Sequence, residues 1–205
     1  MKHLKQLFVF VLLAVFGVGQ MWAAETQLFS QTFPGSPTSY TNSYTKSFSM
    51  TTSGSTLTYA NVNNGQESNA WTVVRAGRNN NNASVVTLTS SQISAAVSKV
   101  SITFTQVDAN LTNELYLEVA SNSSFTSATK ISANIAASEI EFPITSPAAN
   151  KYYRIVIDLK AGSSNGFTRF NRVTFFQNSG GTTKPTRFSN HTEIPSNSLI
   201  FNTIP

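Results

Sequence analysis

Through most of this chain apolar residues recur at every second position, and that period confines the chain to β-structure. Val100, Ile102 and Phe104 interleave with Ser101, Thr103 and Thr105, and Leu115, Leu117 and Val119 with Tyr116 and Glu118. Ile140, Phe142 and Ile144 alternate with Glu139, Glu141 and Pro143, and Tyr153, Ile155 and Ile157 with Arg154, Val156 and Asp158. Successive side chains of a strand point to opposite faces, so each segment gains one apolar and one polar side. Further strand-like runs lie at 28–33, 46–50, 56–59, 70–75, 84–88, 130–135 and 172–176. About ten short strands at regular spacing imply an all-β sandwich or barrel. The pattern predicts a two-sheet antiparallel sandwich with Val100, Ile102, Phe104, Leu115, Leu117, Ile155, Ile157, Val173 and Phe175 inside.

The connections carry turn chemistry. Asn64-Gly65 and Asn165-Gly166 tolerate the positive φ that tight hairpins need. Pro34-Gly35, the run Asn79 to Asn82 and Ser146-Pro147 read as loops. Only 90–98 suggests helix, a turn or two at most. After Gln177 the pattern gives way to Asn178, Ser179, Gly180, Gly181, Thr182 and Thr183, a linker by composition. Residues 179–205 are therefore expected to be a poorly ordered tail, in which Leu199 to Phe201 could add one more strand.

Residues 1–24 read as an export signal. Lys2, His3 and Lys5 form a basic start, Leu7 to Val18 an apolar run, and Ala23 and Ala24 a cleavage point before Glu25. The run is shorter than the roughly 20 residues of a membrane span, so no stable anchor is expected. Trp22 departs from the small residue preferred three positions before a cut after Ala24. The expected address is secreted or extracellular, with the periplasm as the other compartment a signal of this kind reaches, and the expected sandwich domain is 25–178.

Charged residues make up only 11% of the chain, so Ser, Thr, Asn and Gln carry its polarity. The net charge of +5 comes from scattered Lys and Arg, with loose groups at Arg75 and Arg78 and at Arg169 and Arg172. No basic run or aromatic-basic motif accompanies them, which argues against specific nucleic-acid binding. With Cys at 0, disulfides, thiolate metal sites and cysteine nucleophiles are excluded.

Three segments carry a family likeness: "SKVSITFTQ", "LYLEVASNSSFTSAT" and above all "KYYRIVIDLKAGSSNGFTRFNRVTFFQ". Through them, residues Trp71 to Gln177 resemble a jelly-roll-type β-sandwich module found in secreted multidomain proteins of Bacteroidetes and related bacteria. The resemblance implies a jelly-roll-like fold and an extracellular address beside polymer-degrading enzymes, immunoglobulin-like repeats or sorting domains. It transfers no functional residue.

Catalytic chemistry is poorly supplied. The histidine beyond the export segment, His191, stands in the tail, and no Gly-x-Ser-x-Gly elbow occurs, so a serine hydrolase lacks its base. Glu139 and Glu141 share one strand face at about 7 Å, but the alternation assigns that face to water. No enzyme activity and no cofactor are expected. Structural calcium would fall at Asp108 with Asn110, where an ordinary Asp turn is the simpler reading. For a polysaccharide or glycoconjugate the candidate contacts are Trp71, Arg75 and Tyr116. Trp71 more often anchors a sandwich core, whereas Tyr116, between inward Leu115 and Leu117, faces outward. Most of Tyr152, Phe167 and Phe170 read as core. Two functions remain open: a secreted, non-catalytic glycan-binding module, or a structural spacer or adhesion domain without a small ligand.

Overall fold

A computed structural model describes residues 24–33, 47–63, 73–77, 83–108, 110–161 and 167–179. Among them run twelve strands and no helix: β1 (Glu25–Thr32), β2 (Ser47–Thr52), β3 (Ser55–Ala60), β4 (Val62–Asn63), β5 (Val74–Gly77), β6 (Ser84–Ser90), β7 (Val97–Gln106), β8 (Thr112–Ala120), β9 (Thr129–Ala133), β10 (Glu139–Pro143), β11 (Tyr152–Leu159) and β12 (Phe167–Asn178). Trp71, residues 1–23, residues 180–205 and the turns at 34–35, 64–65, 79–82 and 165–166 lie outside the described residues.

The strands form two sheets. The first has the order β10-β7-β12-β5-β4 with β1 also beside β12, and the second β2-β3-β6-β11-β8-β9. Every pairing is antiparallel. Apart from the adjacent pairs β2–β3, β4–β5 and β8–β9, each step along the chain passes to the other sheet. That shuttling is consistent with a jelly-roll, and the sheets stay open, ending at β10 and β4 in one and at β2 and β9 in the other.

The long strand β12 organises the first sheet. One edge pairs with β7; the other pairs with β5 over Phe167–Phe170 and with β1 over Arg172–Asn178. The register is irregular around Asn171, whose carbonyl accepts the Phe33 N–H at 2.9 Å. The extra residue bends the strand where its partner changes.

Between the sheets lies an aromatic-rich core. Phe29 stacks on Phe175 at 4.6 Å, and Phe170 meets Phe104 edge-on at 6.3 Å and Tyr59 in parallel at 6.4 Å. The nine residues assigned to the interior by alternation are all buried, none more than 2% exposed. Each such side chain contributes roughly 1.5–3 kcal/mol through burial.

Three local expectations change. Segment 90–98 is not helical: β6 ends at Ser90, Ile93 forms an isolated bridge to Lys151, and β7 starts at Val97. Ile93 is buried and its N–H reaches the Lys151 carbonyl at 2.9 Å, so this crossing between sheets is held extended. Val156, Ser101 and Thr174 face outward by alternation yet are buried. They sit on inner strands, with a paired strand on each side. Of the three ambiguous aromatics, Phe170 is core, while Tyr152 and Phe167 are only half-buried.

Candidate functional site

The outer face of the second sheet is a matched lattice of polar pairs. Tyr116 stands opposite Ser132 on β9 and Val156 on β11, and Glu118 opposite Lys130 and Arg154. Glu114 binds Lys130 at 2.6 Å, and Glu118 binds Arg154 at 2.6 Å. The Lys130 hydrogen bond holds the Glu114 carboxyl below its usual range, and the same bond raises Lys130. The Lys130 ammonium also lies 4.0 Å from the centre of the Tyr116 ring. Partial burial, followed by the Glu118 charge, raises the Tyr116 phenol. Tyr116 thus faces outward, as its strand neighbours require, but it carries a lysine on its ring.

On the first sheet Lys99 bridges Glu25 at 2.6 Å and Glu141 at 2.8 Å. Burial alone would lower the Lys99 ammonium, but the hydrogen bonds to Glu141 and Glu25 outweigh it and raise its pKa. Glu139 pairs with Arg172 at 3.3 Å and accepts the Ser101 hydroxyl at 2.7 Å. The two strand-mate glutamates are therefore engaged in ion pairs rather than poised across a cleft.

Arg75 belongs to this first sheet. Its strand neighbours Val74 and Ala76 sit opposite Phe170 and Thr168, all fully buried, so Arg75 projects from the outer side. It is 8% exposed, with its guanidinium 4.6 Å from the Phe167 ring centre, and Arg169 approaches the same ring at 4.9 Å. Arg75 and Tyr116 consequently lie on opposite outer faces of the sandwich and form no common site.

Asp108 acts as a turn residue. Its Oδ1 accepts the Asn110 N–H at 3.1 Å and its carbonyl accepts the Leu111 N–H at 3.1 Å. Among the described residues no group of three or more His, Cys, Asp or Glu could hold a metal ion.

A groove of about 840 Å³ opens along one side of the sandwich, where the end strands β9 and β10 of the two sheets approach each other. That volume falls within the range of small-ligand sites, about 300–1,000 Å³. Its lining includes the half-buried apolar side chains of Val119, Ile131 and Ile144 and the exposed Pro143. It also carries the exposed hydroxyls of Ser127, Thr129, Thr145 and Ser146 together with Lys130 and Lys151, and among the described residues no carboxylate lines it.

The loop between β8 and β9 shapes part of this groove. Asn122 Oδ1 accepts the Ser124 hydroxyl at 2.7 Å and the Thr126 N–H at 3.1 Å, while Asn122 Nδ2 donates to the Thr126 carbonyl at 3.3 Å. Phe125 and Ser127 adopt left-handed φ of 57° and 58°, and Asn150 across the groove adopts 59°. Phe125 is buried beneath the loop, with the Arg154 guanidinium 4.2 Å from its ring centre. The loop is thus anchored from below and cross-braced at its base. Lys130 links the groove to Tyr116, since it lines the first and caps the second.

Sequence reasoning found Tyr116 on its correct side but not the groove. The groove draws on 119–131, 143–148 and Lys151, and their meeting depends on β9 and β10 ending different sheets. The one local signal was the Asn-Ser-Ser-Phe-Thr stretch at 122–126, a polar loop with a single aromatic anchor.

No protein-family model and no curated protein matches the chain. Among solved structures, that of TmCBM61 in complex with β-1,4-galactotriose aligns over 56% of this chain and 71% of its own, at 11% identity and a TM-score of 0.28. A TM-score of that size bears on neither the fold nor the ligand of this chain.

Proposed function

We propose that this protein is a secreted, non-catalytic module that binds an extracellular glycan along the groove between β9 and β10, with Tyr116 at its margin. The observation that carries the reading is the lining of that groove. Exposed hydroxyls and two ammonium groups stand beside apolar side chains, a combination suited to sugar hydroxyls and to the C–H face of a pyranose. Among the described residues the lining has no carboxylate to act as acid, base or nucleophile on a glycosidic bond. Export is supported by the basic start, apolar run and alanine pair of residues 1–24. Cleavage after Ala24 would leave all of β1 paired with β12, because that pairing starts at Glu25.

The reading is tested by a glycan array and affinity gel electrophoresis on the mature chain. Saturable retention that weakens in Tyr116→Ala or Ser146→Trp, with an unchanged melting transition, is the expected result. Uniform failure to bind by a normally melting protein would replace this reading with the spacer or adhesion role. One observation favours that rival: Lys99, Lys130, Arg154 and Arg172 on the sheet faces already meet carboxylates of their own chain.

A further inference from the structure

The distribution of charge around the groove separates its two lysines. Lys130 is committed to Glu114 and to the Tyr116 ring. Lys151 instead donates to the Ser121 hydroxyl at 2.6 Å, and among the described residues no carboxylate forms an ion pair with it. An ammonium has three donors, so two remain for a ligand after the bond to Ser121.

Lys151 is also firmly placed. Its carbonyl accepts the Ile93 N–H at 2.9 Å, and the carbonyl of Asn150 accepts Gln92 Nε2 at 3.1 Å. The left-handed Asn150 turns the chain into β11 immediately before it. Its backbone is therefore fixed, and its ammonium is directed by the bond to the exposed Ser121 hydroxyl, before any ligand arrives, which lowers the ordering cost of binding. Within reach of this cation the groove offers hydroxyls and no competing anion.

Resting on the glycan reading above, we infer that the groove selects an acidic saccharide, whose carboxylate or sulfate is held by Lys151 while neighbouring hydroxyls meet the sugar. The acidic group supplies the counter-charge that the groove lacks. Since Lys151 is only half-buried, the ion pair is screened by water and salt, and its contribution is modest.

The test is affinity gel electrophoresis of the full mature chain against two matched pairs of polymers: polygalacturonate with its methyl ester, and dextran sulfate with dextran. Retardation is expected to be stronger for at least one acidic member than for its neutral mate, and to weaken as salt rises. Lys151→Gln should reduce that retardation about fivefold, and Lys151→Arg should retain most of it. Lys160→Gln makes the same change in net charge at the far end of β11 and should leave retardation unchanged. Preference within the first pair identifies a carboxylate ligand, and within the second a sulfate. Equal retardation by acidic and neutral members, or equal losses in Lys151→Gln and Lys160→Gln, overturns the inference while leaving glycan binding standing. Failure of every polymer, on the array as well as in gels, overturns the glycan reading itself.

Discussion

Tyr59 and Ile102 show how differently two fully buried side chains act in one core. Tyr59 is packed against Phe33, Phe48 and Phe170, yet its hydroxyl finds no hydrogen-bond partner among the described residues. Burial drives its phenol far above the ordinary value. Tyr59→Phe keeps the ring and removes the unsatisfied oxygen, so urea unfolding should show stability unchanged or raised by about 1 kcal/mol. Ile102 is 0% exposed between β10 and β12. Ile102→Ala should lose about 2–5 kcal/mol in the same measurement, from lost burial and the cavity left behind. A loss within experimental error would mean that the register of β7 is displaced by one residue, which exchanges its two faces.

At the scale of single elements, the β8–β9 loop holds strained backbone. Two non-glycine residues with left-handed φ, Phe125 and Ser127, stand one residue apart in it. Such a conformation costs an L-residue roughly 1–2 kcal/mol, and here it is sustained by the Asn122 hydrogen bonds and by burial of Phe125. Ser127→Gly should relieve that strain and raise stability by about 1 kcal/mol in thermal melts, whereas Ser127→Val should lower it by at least as much. Asn122→Ala removes the cross-brace instead. It should lower the melting temperature modestly and, at temperatures where the variant stays folded, reduce retention on the glycan, because the loop would no longer be ordered before binding.

For the molecule as a whole, alkaline pH should be the damaging direction. Burial pushes the Tyr153 phenol from 10.0 up to about 12. Between those values an unfolded chain releases a proton that the folded chain retains, so the stabilisation is complete below 10.0 and is lost as pH rises towards 12. The elevated Lys99 works in the same sense, its contribution complete below 10.5 and lost as pH climbs through its folded value. Urea midpoints between about pH 8 and about pH 12 should therefore fall, and Tyr153→Phe should remove about 2 kcal/mol of that fall. Intact mass of secreted material should place the mature N-terminus at Glu25; a chain retained in the membrane fraction with Met1 in place would contradict export.

Much of this architecture was legible in the residues themselves. Period-two alternation depends only on strand geometry, so it located Val100, Ile102 and Phe104 inside, Tyr116 outside and the approximate positions, though not the limits, of most strands without tertiary information. The two-residue β4 carries no period to read, and the extended crossing at Ile93 is set by its bridge to Lys151, a residue distant in sequence. The order of strands within each sheet was equally invisible, because alternation says which way a side chain points but not which strand lies beside it. That order decided the rest. It placed Arg75 and Tyr116 on opposite faces, gave nearly every facial charge a partner, and brought β9 and β10 to the same open side, where Lys151 meets a groove that no single segment encodes.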